Sequence, residues 1–433
     1  MIAQKAKPTL KQRVEEFRRK LGLSAKANPQ RRYSSLYDKV YRPDVLREAW
    51  TRVSANGGGA GVDGVSIAWI REYGVERYLE ELGTELSERR YRPGRIKRVY
   101  IPKPDGRQRP LGVPTVTDRV VQMAVKLLIE PLFEADFLDC SYGFRPARSQ
   151  HQALRATDKY LYRGFRWVVD VDLRSYFDTI PHDRLLKLVE RRVNDRMILR
   201  LIRDWLKAGI QFEGKVEYPE LGSAQGGVLS PLLSNIYLHE VDKRWYRQRS
   251  NAQLVRYADD MLILCGTEEI AKREHDLLRD TLREMGLSLN EDKTRVVPAE
   301  AGFDFLGFSF RPGTYIRNGE LRTILIKVPR RKSLEKIRQG IKEAVKFLPL
   351  NEAVGQAVQA VNLRLKGWAN YFRIGHAYEH LQAMVWHAEK QLRIFIRRKF
   401  QRKYSQGTRR TYPSNYLHST LGLYTVEVLY AGK

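Results

Sequence analysis

Gln253-Leu254-Val255-Arg256-Tyr257-Ala258-Asp259-Asp260-Met261-Leu262-Ile263-Leu264-Cys265 reads as two apolar strands meeting at an acidic turn. Side chains on a strand alternate faces, so adjacent acids converge on one point only where a tight turn breaks the alternation, and there they can hold a hard cation. A buried acidic pair needs a metal or a proton. Asp is equally at home in a solvated hairpin turn, so the motif alone leaves two balanced readings and the rest of the chain decides between them.

A third acid lies upstream, in Phe165-Arg166-Trp167-Val168-Val169-Asp170-Val171-Asp172-Leu173-Arg174-Ser175-Tyr176-Phe177-Asp178. The run from Trp167 to Leu173 is apolar and β-branched enough for a buried strand, with Asp170 and Asp172 on one face. A carboxylate there is costly unless it binds something, which points to a metal ligand. Mg2+ suits it, with Mn2+ as a substitute, because it takes a few carboxylates together with phosphate oxygens and water. Two such ions roughly 3.5–4 Å apart would activate a 3′-hydroxyl and stabilise a pyrophosphate leaving group in an in-line displacement. That chemistry is nucleotidyl transfer.

Lys103 and Arg109 flank the turn Pro104-Asp105-Gly106, which would aim both at one point, Arg fitting phosphate oxygens bidentately and Lys as a point charge. The ordinary alternative is a solvated basic hairpin, the reading that suits Arg107. Composition agrees with a polyanionic partner: Lys+Arg 78 against Asp+Glu 50 leaves a formal net charge of +28, spread along the chain. No apolar run approaches the ~20 residues that span a bilayer, and the polar N-terminus with Lys5 and Lys7 lacks a secretory signal, so the expected location is the cytoplasm, with no membrane partner. Two isolated cysteines, Cys140 and Cys265, cannot form a paired-cysteine zinc module and fit a reducing compartment.

An ordered series of motifs from about Tyr33 onward resembles reverse transcriptases, specifically those of bacterial group II introns, which double as splicing maturases. Asn56 to Gly64 is similar to that family's N-terminal extension block. Ile101-Pro102-Lys103 through Pro114-Thr115 and Ser141-Tyr142-Gly143-Phe144-Arg145-Pro146 resemble the first two fingers blocks. Asp172 with Phe177 resembles the first palm motif, and Ala224-Gln225-Gly226-Gly227-Val228-Leu229-Ser230-Pro231 the next. Tyr257 to Asp260, Gly286 to Thr294 and Phe305-Leu306-Gly307 follow in order, and Leu365-Lys366-Gly367-Trp368-Ala369-Asn370-Tyr371-Phe372 resembles the maturase thumb signature.

The resemblance implies an α+β right-hand polymerase fold, fingers and palm followed by a helical thumb. Length suggests about three units and the periodicities place them: a basic N-terminal helical segment over 1–32, fingers and palm over 33–325 and a thumb over 326–403, with a short basic tail over 404–433. The helical spacing of Leu10, Val14, Phe17 and Leu21 predicts an N-terminal helix ending near Gly22, before a loop over Ala25 to Pro29, and Arg311-Pro312-Gly313-Thr314 reads as a turn. Past Pro329, Leu334, Ile337, Ile341 and Val345 form one helical stripe, and Leu381, Val385, Ala388, Leu392, Phe395 and Ile396 another.

Reverse transcriptases place an aromatic residue five positions after the metal-binding acid, so the resemblance selects Asp172 over its rival Asp170. The implied ligands are Asp172, Asp259 and Asp260, with the Leu173 carbonyl in addition. It assigns Lys103 and Arg109 to the triphosphate, Gln225 to the incoming sugar and base, and Lys293 to protonating pyrophosphate, although a lysine among Glu291, Asp292 and Thr294 is ordinarily solvated. Phe177 packed beneath the sugar would collide with a 2′-hydroxyl and select deoxynucleotides; otherwise it is a core residue. In the thumb, Arg393, Arg397, Arg398, Arg402 and Lys403 form a basic face near Trp386 and Tyr404, and the signature around Trp368 adds that residue to the expected RNA contacts. Without interleaved acids after Glu389 that face is read as an RNA-binding surface rather than a solvated one.

The implied activity is RNA-directed DNA polymerisation, with binding of the parent intron RNA and help in its splicing and mobility. The implied partners are group II intron RNA, an RNA template with DNA primer, deoxynucleoside triphosphates and target DNA. With no paired-cysteine nuclease motif after Tyr404, mobility would prime from existing ends, such as nascent strands at a replication fork. A binding-only maturase and a host-adopted enzyme of DNA repair or phage defence are the competing classes. An RNA-dependent RNA polymerase is disfavoured by Phe177.

Overall fold

The computed structural model describes residues 8–102, 108–222, 226–248, 251–317, 320–400 and 412–426. The chain divides into two compact units, Met1–Ala153 with Val169–Arg295, and Leu154–Val168 with Val296–Lys433.

In the first unit, helix α1 (Leu10–Ala27) starts at a capping box in which Thr9 and Gln12 bond reciprocally. It does not stop near Gly22 but runs on to Ala27. A side chain at Gly22 would touch Pro131 at 3.6 Å, so this glycine lies within a helix–helix interface, and the fully buried Ala25 extends the packed stripe beyond it. Tertiary burial outweighs the ~1 kcal/mol a helical glycine costs. The facing element is helix α3 (Val116–Glu134), buried along nearly its whole length and also packed by helix α2 (Pro43–Asn56).

Strands β1 (Ile96–Pro102) and β2 (Gln108–Val113) form an antiparallel pair, with Arg109 opposite Ile101. Strand β3 (Trp167–Val171) neighbours a hairpin of β4 (Ala252–Tyr257) and β5 (Asp260–Cys265), with β5 between β4 and β3. Helix α4 (Ser230–Gln248) precedes the hairpin. The strand expected to reach Leu173 ends at Val171. Leu173 instead makes an isolated antiparallel bridge to Leu289, and the Arg174 amide donates to the Ser288 carbonyl at 3.0 Å, so Asp172 stands just past the sheet where the chain changes partner.

In the second unit, β6 (Phe303–Phe305), β7 (Phe308–Arg317) and β8 (Glu320–Pro329) form a sheet of order β8-β7-β6. Arg311 to Thr314, expected as a turn, lies inside β7, Pro312 opposite Leu325. β6 pairs only with Phe308 to Phe310, so past that point β7 has a free edge among the described strands, where a missing proline amide costs no ladder bond. Helices α5 (Arg331–Lys346), α6 (Val354–Phe372) and α7 (Tyr378–Lys399) pack around Ile337, Ile341, Leu392 and Phe395, as the two stripes predict, and around Val361 of α6, which neither stripe includes. Leu417 and Leu423, from the segment read as a basic tail, complete this core. No helix among the described residues is long and apolar enough to cross a membrane.

Candidate active site

Tyr257 pairs with Asp260, which leaves Ala258 and Asp259 as a two-residue turn. Ala258 adopts φ +59°, a left-handed conformation that costs a residue bearing a Cβ about 1–2 kcal/mol. Three neighbours hold it there. The fully buried Arg256 donates from Nη1 to the Ala258 carbonyl at 3.0 Å and to Asn235 Oδ1 at 2.9 Å, and from Nε to Asp242 Oδ1 at 2.7 Å. Asn235 Nδ2 donates to the Gly143 carbonyl at 2.8 Å. Gly143 itself lies so close that a Cβ there would stand 2.3 Å from the Ala258 nitrogen, which only glycine permits. The block around Ser141 also runs along β4: the Arg256 amide donates to Cys140 and the Tyr142 amide to Arg256, both at 2.8 Å.

Asp172 has its own bracket. Its carbonyl accepts from the Asn290 amide at 2.8 Å, its amide donates to Thr294 Oγ1 at 3.3 Å, and Oδ2 accepts from Lys293 Nζ at 2.7 Å. The Gly286 to Thr294 segment therefore positions the acid, and Lys293 is its ion-pair partner in this structure. Asp259 and Asp172 share one electrostatic neighbourhood. Burial raises the Asp259 carboxyl above its ordinary range and the Asp172 charge adds to the rise, against a backbone hydrogen bond, Arg109 and Arg256. Asp260 opens β5 and is exposed, Leu173 is buried, and Asp170 lies within β3.

Phe177 is half-buried on the short helix Tyr176–Thr179, its ring edge-on to Tyr176 at 5.3 Å. Gly222 lies against it, and Gly226 of the next block lies against β2. A Cβ on Gly222 would stand 2.8 Å from the Phe177 carbonyl, and one on Gly226 2.3 Å from the Gly112 carbonyl of β2. Gln122 of α3 accepts from the Val228 amide at 2.9 Å. Lys103 and Gln225 lie outside the described residues.

Among the described residues no three carboxylates, imidazoles or thiols are gathered as a ready metal cage. The donor set nevertheless fits Mg2+, which takes one or two carboxylates and fills the rest of its shell with substrate phosphates and water. Asp259, resisting ionisation beside Asp172, is the group a cation would relieve.

The residues expected to form a basic thumb face come out differently. Arg393 does not belong to an open basic face: it pairs with Glu389 at 2.9 Å and donates to Ser414 Oγ at 2.9 Å. Glu389, one turn earlier, answers it, a partner that a pattern counted only beyond Glu389 leaves out. Arg397 is half-buried and Arg398 exposed, while Arg402, Lys403 and Tyr404 lie outside the described residues. Trp368 is half-buried against the helical core, its ring 4.6 Å from Phe372 and its indole nitrogen buried with no hydrogen-bond partner among the described residues.

Comparison with known proteins matches residues 101–310 to a model described as reverse transcriptase (RNA-dependent DNA polymerase), and residues 334–412 to the group II intron, maturase-specific domain. Protein YkfC of Escherichia coli (strain K12) is 39% identical over 336 residues, 68% of this chain and 87% of that protein. The group II intron-encoded protein LtrA of Lactococcus lactis subsp. cremoris is 38% identical over 212 residues, 49% of this chain. The alignment covers 35% of LtrA's length.

Proposed function

We propose, from the premise that this chain belongs to the reverse transcriptase family of group II intron-encoded proteins, that it copies RNA into DNA with its palm and binds intron RNA to assist splicing and mobility with its thumb. The observations that support the reading are the two brackets around the acids: Arg256, Asn235 and Gly143 hold the turn that bears Asp259, and Asn290, Lys293 and Thr294 hold Asp172 just past the end of β3. In this reading 33–325 form fingers and palm, and the thumb begins at 326 and runs past 403, because Leu417 and Leu423 complete its core. Asp172 and Asp259, with Asp260 and the Leu173 carbonyl beside them, would hold divalent magnesium, which when bound supplies Lewis-acid activation of a 3′-hydroxyl and neutralises charge on the leaving pyrophosphate.

The remaining work falls to the chain's own groups. Arg109, with Lys103, holds the triphosphate; Gln225 meets the sugar and base; Phe177 closes the space beneath the ribose, so a 2′-hydroxyl is rejected by collision. Lys293, released from Asp172 when phosphates arrive, stands within reach to donate a proton to the departing pyrophosphate. Arg397 and Arg398 of the thumb engage RNA backbone. The substrates are deoxynucleoside triphosphates and a primed RNA template, and the final acceptor is target DNA. Incubating the protein with a DNA-primed RNA template, deoxynucleotides and Mg2+ tests this. A full-length DNA product supports the reading, and no extension with either Mg2+ or Mn2+ overturns it. Faster splicing of a cognate intron RNA on addition of protein tests the second activity.

A further inference from the structure

We propose that Arg256 is a positioning residue for polymerisation: its guanidinium fixes the left-handed Ala258 and thereby presents the adjacent Asp259 carboxylate toward Asp172. The proposal rests on the polymerase reading above. Arg256 and Asp242 both have fully buried side chains, and their charges already cancel through the Nε and Nη2 bonds. Charge balance therefore does not require the two further bonds from Nη1, to Ala258 O and Asn235 Oδ1. Those bonds reach the residue whose φ of +59° a Cβ disfavours, and the Asn235 side chain carries the network to Gly143, which presses on the same turn. A planar fork can donate in three directions at once, and a lysine ammonium on a flexible stem cannot reproduce it. His239, 3.9 Å from Asp242, together with Cys140 and Tyr176 beside Arg256, are further titratable side chains facing the pair.

Three variants separate positioning from core packing: Arg256→Lys, the charge-free pair Arg256→Met with Asp242→Leu, and that pair with Ala258→Gly added. The pair removes both buried charges, so it keeps the protein foldable where one unpaired charge would not. Each is measured for thermal unfolding, primer–template affinity, Mn2+ binding by electron paramagnetic resonance titration, and kcat and KM for deoxynucleotide. We expect Arg256→Lys and the charge-free pair to lose roughly 10- to 100-fold in kcat and to bind Mn2+ several-fold more weakly, with primer–template affinity unchanged. Glycine takes a positive φ without the Cβ penalty, so Ala258→Gly should recover about tenfold of the pair's loss in kcat.

Wild-type kcat and Mn2+ affinity in Arg256→Lys would overturn the proposal. So would a loss in the charge-free pair that tracks its unfolding temperature and does not respond to glycine at 258, because Arg256 would then be a core ion pair and nothing more. If the wild-type protein extends no primer, the polymerase reading fails, and the Mn2+ titration still decides whether Arg256 sets the acid's position.

Discussion

Around Asp259 the molecule leaves its own electrostatics unfinished, whereas around Arg393 it completes them. Burial and the neighbouring Asp172 both raise the Asp259 carboxyl, and the opposing cations do not bring it back to its ordinary range. Asp172 is answered by Lys293, in a partly exposed pair of the kind worth about 0–1 kcal/mol and easily exchanged. Arg393, by contrast, is largely covered and satisfied by Glu389 and Ser414. The same charged residue types serve opposite ends, and what separates them is whether the fold itself supplies the partner. An acid that burial and a neighbouring carboxylate both hold from ionising can be relieved by a bound cation.

The largest effect expected from this contrast is at the unfinished end. Asp259→Ala should cut RNA-templated primer extension by at least ~10⁴-fold, about 5.5 kcal/mol of barrier, while RNA binding, measured by filter retention, stays near wild type. A fall of only tenfold would place the chemistry elsewhere. On the same side, Phe177→Val should raise incorporation of ribonucleotides relative to deoxynucleotides, on the order of 100-fold, by removing a collision. Competing the two nucleotides in one reaction reads the ratio, and an unmoved ratio returns Phe177 to the core.

At the finished end, Arg393→Gln should cost about 1–2 kcal/mol in denaturant unfolding, because Glu389 loses a charged partner in a buried position. It should leave the salt dependence of RNA binding alone. Arg397→Gln with Arg398→Gln should do the reverse, flattening that dependence by roughly 0.7–0.9 log units for each phosphate no longer neutralised and changing stability by less than ~0.5 kcal/mol. If Arg393→Gln flattens the slope, the contrast breaks.

The smallest effect is with pH. Burial works to raise the Glu389 carboxyl, but hydrogen bonds from Ser414, His418 and Arg393 together outweigh it and hold the group below its ordinary value. A carboxylate depressed in the folded state stabilises at pH values above the ordinary glutamate range and loses that contribution as pH falls through the range and below. Glu389→Gln has no charge there to lose, so the wild type should exceed it in unfolding free energy at neutral pH, and the gap should narrow as the solution is acidified. Denaturant unfolding followed by circular dichroism at several pH values reads the gap, and a gap that stays constant shows that the Glu389 charge contributes nothing.

What the sequence made legible was local. Two apolar runs around Tyr257 to Asp260 suffice to define a hairpin, and the helical stripes in α5 and α7 suffice to define buried helix faces. What it hid depends on distant partners. Gly22 signals a helix end until Pro131 is seen against it, and Pro312 signals a turn until the short reach of β6 leaves a free edge. The bracket that Asn290, Lys293 and Thr294 build around Asp172 spans over a hundred residues of chain, and only folding brings it together. Arg393 is hidden for the same reason, because Ser414 closes its network from a segment with no pattern of its own.

Primer extension on an RNA template at saturating Mg2+ with Asp172→Asn and with Asp170→Asn decides which strand acid serves the chemistry. Two acids separated by a single residue differ in this structure by the end of a strand, with Asp172 beyond it beside Asp259 and Asp170 within it. Asp172→Asn should lose extension by about 10³-fold or more while Asp170→Asn retains most of it. A near wild-type Asp172→Asn alongside an inactive Asp170→Asn would mean that Asp170 is the acid the polymerase uses.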